Sequence, residues 1–440
     1  MRALRWLLLM SWLMLAGLAW PVAAGATELF VSPSGDDAAS GGRSTPLRTV
    51  GRAASLARPG ATIHIMPGTY LEQLITHAAG TPDKPIVFAA FESGVVLDGA
   101  LLPPEPHAGR EQNRGVVELR HAWNVVRGLT IRNSPYSGIV LGASHLVVTG
   151  NTVTGTRRHA ISTDTRFQPT QPAGLLTDIT ISGNRVTRAV QRGLGYGQAI
   201  SLIADGFSIR ENEVLESHTE GIDVWLGARN GSVVGNHVHH NVRTGIYLDG
   251  VIDVVVRANR VHDNGHWLDG SVPGAGNGHG IGVASEDTNY PTRGVIVVNN
   301  LVYRNQRTGI FVWDSPTAAG YRGSQDVLIA YNTVLENGHG AIRLVDGIGN
   351  TGEVAFNIYD GRSPVSGDMD VYSNFRASPE DFVGKARGDF RLRDGHRGRN
   401  RGGAFRHPAF KAVKVMTDYQ GAPRGERPDA GAFEANRSRQ

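Results

Sequence analysis

Two interleaved residue series run through the middle of this 440-residue chain and share one period. The first is asparagine: Asn151, Asn184, Asn212, Asn236, Asn259, Asn300, Asn332 and Asn357, each close behind a short β-branched stretch. The second is a small residue followed by isoleucine: Gly138-Ile139, Ala160-Ile161, Ala199-Ile200, Gly221-Ile222, Gly245-Ile246, Gly280-Ile281, Gly309-Ile310 and Ala341-Ile342. A period shared by two columns means that one supersecondary unit is stacked on itself. The asparagine intervals are 33, 28, 24, 23, 41, 32 and 25 residues, so the bare unit is 23 to 25 residues and the excess is inserted loop. Helical repeats run longer, about 33 to 47 residues. The shorter unit suits three short strands with their turns. Inside it the period is two, as in Ile179 to Ser182 or Val254 to Arg257, so alternate residues point inward. The expected fold is an all-β solenoid, a parallel β-helix.

Coils in such a stack lie about 4.8 Å apart, so asparagines at one turn can hydrogen-bond one another in a ladder. Gly or Ala before each Ile suits a tight corner where a larger Cβ would clash. The 57 glycines and the scarcity of long apolar runs agree with many corners joined by short strands. A solenoid lengthens without widening, and no linker composition interrupts residues 27–360, so one continuous core is expected.

Residues 1–26 read as an address. Arg2 and Arg5 precede an apolar run from Trp6 to Trp20, then Pro21 and Ala23-Ala24-Gly25-Ala26, the pattern of a secretory signal cleaved after Ala26 or Ala24. A membrane span needs about 20 apolar residues, so no membrane insertion is expected. With no cysteine there is no disulfide framework, and stability has to come from stacking. The mature protein is expected in the periplasm or outside the cell, as a monomer. Residues 27–100 form the cap and first coils, 101–375 the coils proper, and 376–440 a closing segment packed on the helix. Thr45-Pro46 reads as an N-cap with Pro at N1, opening a short capping helix through Leu47, Val50, Ala54 and Leu56 to Pro59-Gly60.

Period two also places the first and third residues after each Ile on one outward face. The first column reads Ser162, Ser201, Asp223, Tyr247, Gly282, Phe311 and Arg343; the second reads Asp164, Ile203, Trp225, Asp249, Ala284, Trp313 and Val345. A merely solubilising face would favour Lys, Thr and Ser. Flat aromatics beside carboxylates suit sugars, which offer a C–H face to stack on and hydroxyls to hydrogen-bond. Long inserted loops point the same way: the longest follows Asn259 around His266 to Gly270, and others hold Arg192 to Tyr196 and Ser315 to Tyr321. His218, His237, His239, His240, His262, His266 and His279 crowd the same region, with His239 and His262 in one column. No recognised metal-ligand spacing appears among them, and groove-lining histidine is the commoner outcome.

Both ends resemble bacterial β-helix carbohydrate enzymes: Leu29-Phe30-Val31 through Val96-Leu97-Asp98-Gly99 at the start, and Gly388-Asp389-Phe390, Thr417 to Gly421 and Pro428 to Glu434 at the end. That resemblance implies a right-handed helix. Thr219-Glu220-Gly221-Ile222-Asp223-Val224-Trp225 resembles the acidic stretch that supplies calcium ligands in family 9 polysaccharide lyases, the β-helix pectate lyases. In that family another Asp on the preceding coil joins the cluster and a lysine on the following coil abstracts the proton. Glu220 and Asp223 match. Thr219 replaces an acid, Gln198 stands for the preceding-coil Asp, and Tyr247 takes the lysine's place.

Removing the C5 proton of a uronate requires neutralisation of its carboxylate, a base, and a donor to the leaving oxygen. Glu220 with Asp223 would hold a hard cation such as Ca²⁺, or Arg243, Arg304 or Arg343 would neutralise the carboxylate directly. Tyr247 or His279 would be the base, and His279, titrating nearer neutrality, is the better suited. The expected catalytic set is therefore His279, Tyr247, Arg243 and Asp223. Trp225, Asp249, Trp313, Phe311, Arg304, Arg343, His240 and Gln198 would bind substrate. The expected activity is β-elimination on a uronic-acid polysaccharide. A glycoside hydrolase is the rival, since Gly278-His279-Gly280 resembles a polygalacturonase stretch and Glu220, Asp223 and Asp249 offer carboxylates. A C5-epimerase and a non-catalytic glycan-binding solenoid also stay open. The net charge of +4 suits an acidic polysaccharide partner, and no nucleic-acid recognition motif is present.

Overall fold

The computed structural model describes residues 27–103, 114–171, 174–190, 197–266, 278–314, 323–345, 349–361 and 369–435. The proposed signal segment and the loops around Trp267, Arg192 and Ser315 lie outside these residues. The chain forms two compact units that divide between Ser208 and Ile209. In each unit the backbone visits three sheets in turn, and successive coils pair in parallel. The first unit stacks Glu28–Val31, Thr62–Ile65, Ile86–Ala90, Asn124–Arg127, Leu146–Thr149 and Leu176–Ser182 in one sheet. The second unit repeats the pattern with Arg229–Val234, Ile252–Arg257, Ile296–Val298, Val327–Ala330 and Gly352–Ala355. In each unit these coils make a parallel β-helix, as the sequence period requires.

Isoleucine holds the inside of the stack because a β-branched side chain packs well on a pleated surface. Ile222, Ile246, Ile281 and Ile310 are wholly buried, each opening a strand of one sheet. The small residue before each Ile has no space to grow. A Cβ on Gly280 would stand 2.3 Å from Val302 Cγ1 and 2.5 Å from the Gly309 carbonyl oxygen, closer than real atoms approach.

The asparagine ladder is present in both units. Asn236 donates its backbone N–H (2.9 Å) and its side-chain amide (3.0 Å) to Oδ1 of Asn259. Its second amide hydrogen reaches the Ile209 carbonyl at 2.9 Å. Asn259, Asn300 and Asn332 repeat this toward Asn300, Asn332 and Asn357. A second ladder, which the sequence reading missed, runs five residues behind the first: Asn241, Asn264, Asn305 and Asn337. The residue before most of these asparagines is left-handed, for example Ala258 (φ 55°), Tyr331 (φ 54°), His240 (φ 55°) and Asp263 (φ 54°). Such a conformation costs a side chain about 1–2 kcal/mol, which the fully paired amide next to it offsets.

The N-terminal helix starts later than its sequence suggests. It spans Val50–Leu56 with Thr49, not Thr45, as N-cap. Thr49 Oγ1 accepts from the Arg52 N–H at 3.1 Å, while Glu72 accepts from the N–H groups of Val50 and Gly51. Asp37 draws the preceding turn in by accepting from Arg48 and Thr49. Leu47 instead pairs with Val31 in a strand-like bridge. These carboxylates outbid the Thr-Pro signal because they satisfy amides the helix start leaves open. In the second unit the segment after residue 376 packs Phe382, Phe390, Phe405, Phe410 and Phe433 against Tyr303, Tyr331 and Phe356 of the coils.

The ladder predicts a measurable cost. Asn259→Ala strands buried donors and acceptors on three coils and should lower unfolding free energy by about 2–4 kcal/mol. The exposed Asn289→Ala should stay within about 0.5 kcal/mol of wild type in the same urea titration. Equal midpoints for the two variants would refute the ladder's role.

Candidate active site

One sheet of the second unit carries the outward columns. Ile222–Trp225, Ile246–Asp249, Ile281–Ser285, Ile310–Asp314 and Ile342–Leu344 pair in parallel, and Ile, Val and Leu alternate inward. The register aligns Asp223, Tyr247, Gly282, Phe311 and Arg343 in one column, and Trp225, Asp249, Ala284 and Trp313 in the next. Trp225, Tyr247, Asp249, Phe311 and Trp313 are half-buried and Arg343 is exposed. Gly282 makes room for its neighbour: a Cβ there would lie 2.6 Å from Tyr247 Cδ2, so the phenol ring lies across the glycine.

Four carboxyl groups gather around this ring. The Tyr247 hydroxyl donates to Glu286 Oε1. The Glu286 N–H donates to Asp249 Oδ1 at 2.8 Å. Glu220, just before the Asp223 strand, faces Arg243 with Oε1 3.5 Å from Nη1. Asp223 is only 4% exposed, and its Oδ1 has no hydrogen-bond partner among the described residues. A buried carboxylate oxygen left unpaired is costly, so it needs a counter-charge or a proton.

The electrostatics follow from that crowding. Burial, reinforced by Glu220, Asp249 and Glu286, holds the Asp223 carboxyl well above the usual carboxylate range. Burial likewise raises Glu220 against the pull of Arg243. Asp249 is pushed up to about 7, chiefly by burial, although the Glu286 amide lowers it. Burial and then Glu286 push the Tyr247 phenol above its ordinary value. Tyr247 therefore holds its proton, and its geometry is that of a donor. Tyr247, the less suited of the two bases expected from sequence, is a poor base in this setting.

His279 also differs from expectation. It is buried, stacked on Phe311 at 4.5 Å between ring centroids, and its Nδ1 accepts from the Thr308 N–H at 3.3 Å. Burial, then Arg307, His339 and Arg343, push it down to about 4. With Nδ1 accepting, the neutral ring carries its proton on Nε2 and acts as a donor. Phe311, with Arg343 5.8 Å above its ring, extends this into a flat platform.

Two expected residues are not brought to this sheet. His240 and Arg304 follow the strands His237–His239 and Leu301–Tyr303 of a different sheet, where Arg304 binds Asp263 at 2.6 Å. Gln198 belongs to the first unit, where its N–H donates to His159 Nδ1. Conversely Glu286 escaped the sequence reading. It lies one residue past the strand Ile281–Ser285, beyond the two outward positions counted after each Ile, and an acid at that strand end was its only signal.

A family model described as the Pel9A-like, right-handed β-helix region matches residues 29–333. The chain belongs to this family. Among its relatives, an uncharacterised protein, YwoF, of Bacillus subtilis is 29% identical over 344 residues, 70% of this chain and 68% of YwoF. The pectate lyase PEL9 of Emericella nidulans is 25% identical over 350 residues, 73% of this chain and 81% of that one. The crystal structure of pectate lyase Pel9A superimposes with a TM-score of 0.60 at 18% identity, over 94% of this chain and 98% of Pel9A, which speaks to the fold. Among the described residues no helix is long and apolar enough to cross a membrane.

The raised carboxyls fix the sign of a pH effect. Asp249 and Asp223 bind protons more tightly folded than unfolded, so their contribution to stability falls as pH rises from about 4 through about 7. In chelator-treated protein the urea midpoint of Asp223→Asn should therefore gain on that of wild type over that range. Asp223→Asn, which removes one buried charge, should raise the midpoint above wild type at pH of about 8. A lower midpoint for the variant would count against an uncompensated buried charge.

Proposed function

We propose that this protein is an exported polysaccharide lyase that cleaves a uronic-acid-containing polymer by β-elimination. The observation that carries the reading is the unpaired Oδ1 of buried Asp223 among Glu220, Asp249 and Glu286. Four carboxyls alone would repel an acidic sugar. Their hard oxygen donors fit a cation such as Ca²⁺, which Glu220 and Asp223 would hold and which would neutralise the uronate carboxylate and acidify C5.

The chain's own groups divide the remaining work. Asp249, tuned to about 7, is suited to take the C5 proton near neutral pH. The Tyr247 hydroxyl, kept protonated beside Glu286, is placed as the donor to the leaving glycosidic oxygen. Arg243 beside Glu220 adds positive charge for the substrate carboxylate. Trp225, Trp313 and Phe311 offer faces for sugar rings, and the His279 Nε2–H offers a hydrogen bond. The relationship to a pectate lyase supports the same reaction class.

Incubation with uronate polymers in calcium buffer tests this. The expected product absorbs in the ultraviolet as a C4–C5 unsaturated uronate, and a calcium chelator should suppress it reversibly. Asp249→Asn and Tyr247→Phe should each lower kcat by about 10²–10⁴-fold. New reducing ends without absorbance would make the protein a hydrolase, altered sugar composition without cleavage an epimerase, and binding alone a glycan-binding solenoid.

A further inference from the structure

Away from the carbohydrate face, another sheet of the second unit presents a histidine cluster. Its strands Glu213–Leu215, His237–His239, Arg260–His262 and Leu301–Tyr303 are parallel, with His239 opposite His262 and His237 opposite Arg260. His237 and His239 lie two apart on one strand and face the same way. One ring nitrogen from each of His237, His239 and His262 lies within 4.8 Å of the other two. His237 Nε2 and His262 Nε2 are 2.8 Å apart.

The surroundings prepare these nitrogens as lone-pair donors. His262 Nδ1 contacts Asp263 Oδ2 at 2.6 Å, and Arg304 grips the same carboxylate at 2.9 and 2.6 Å. A neutral imidazole carries one N–H, so donation from Nδ1 to Asp263 leaves the lone pair on Nε2, facing His237. His239 Nδ1 is engaged with His240 Nδ1 at 2.7 Å. Its Nε2 is buried without a hydrogen-bond partner among the described residues, and Glu213 Oε1 stands 3.6 Å away.

We propose that His237, His239 and His262 bind a divalent transition-metal ion, with Glu213 closing a fourth position, so that the ion clips three successive coils together. Three imidazoles and one carboxylate suit Zn²⁺, Cu²⁺ or Ni²⁺, whereas Ca²⁺ needs more oxygen donors. In the free protein the His237 Nε2–H occupies this position by donating to His262 Nε2, and ion binding shifts that proton to His237 Nδ1 so that both Nε2 lone pairs face the metal. Half-exposed His237 leaves access from solvent. The carboxylate–histidine contact through Asp263 orients the ligand ring in the way metal sites require.

Calorimetric titration of chelator-treated full-length protein with ZnCl₂, and electron paramagnetic resonance with Cu²⁺, test the site. The expected results are one ion per chain, a raised melting temperature, and nitrogen hyperfine coupling from imidazole. Asp263→Asn should weaken Zn²⁺ binding about 10–100-fold. His237→Ala and His262→Ala should abolish one-to-one binding while far-UV circular dichroism stays unchanged. Zn²⁺ binding that survives both histidine variants, or a wild-type Cu²⁺ spectrum without nitrogen coupling, overturns the proposal; that spectrum decides the matter even if a variant fails to fold.

Discussion

The amide of each ladder asparagine ties its own coil to the one before and the one after, and every other column inherits its registry from that contact. Oδ1 of Asn259 accepts two hydrogen bonds from Asn236, while its Nδ2 reaches Asn300 and the Val233 carbonyl. An aliphatic core alone would tolerate sliding, because one Val or Ile stacks on another in several registers. A buried amide does not tolerate it, since a slip would leave polar atoms dry and unpaired. The left-handed corners are held by the same pairing.

Registry is also what makes the carboxylates uncomfortable. Asp223 and Tyr247 are 24 positions apart in sequence and direct neighbours across a sheet. Charges that would be harmless on separate loops are stacked at strand spacing and shielded from water. Their raised proton affinities express this, and they mark a place where the fold has been shaped by something other than its own stability. The histidine cluster is the same effect with a different side chain: coil stacking concentrates one chemistry along a line.

The architecture was legible because its signals repeat. Eight asparagines and eight small-Ile pairs vote on one period, and the columns around Asp223 and Asp249 follow by counting in twos. Positions set by single interactions were not legible. Thr49 won the helix start from Thr45 through Asp37 and Glu72, contacts that no local pattern announces. Glu286 reaches Tyr247 from just past the strand Ile281–Ser285, one position beyond those that counting in twos from each Ile considered. The expected roles of Tyr247 and His279 rested on ordinary pKa values, and burial moved both. Arg304 and His240 were grouped by sequence proximity, while the turn between sheets sends them to another face. The second asparagine ladder was visible in principle as a fixed offset of five.

That fixed offset has a further meaning. Asn236 and Asn241, Asn259 and Asn264, Asn300 and Asn305, and Asn332 and Asn337 are always five apart, whereas the stretches flanking the strands that carry Asp223 and its neighbours vary. From Asn241 to Ile246 is 5 residues but from Asn264 to Ile281 is 17. Chain length can thus change only where it meets the outward columns, leaving the corners untouched. The scaffold behaves like a rack with standard fittings, whose front panels can be exchanged one by one without disturbing the frame.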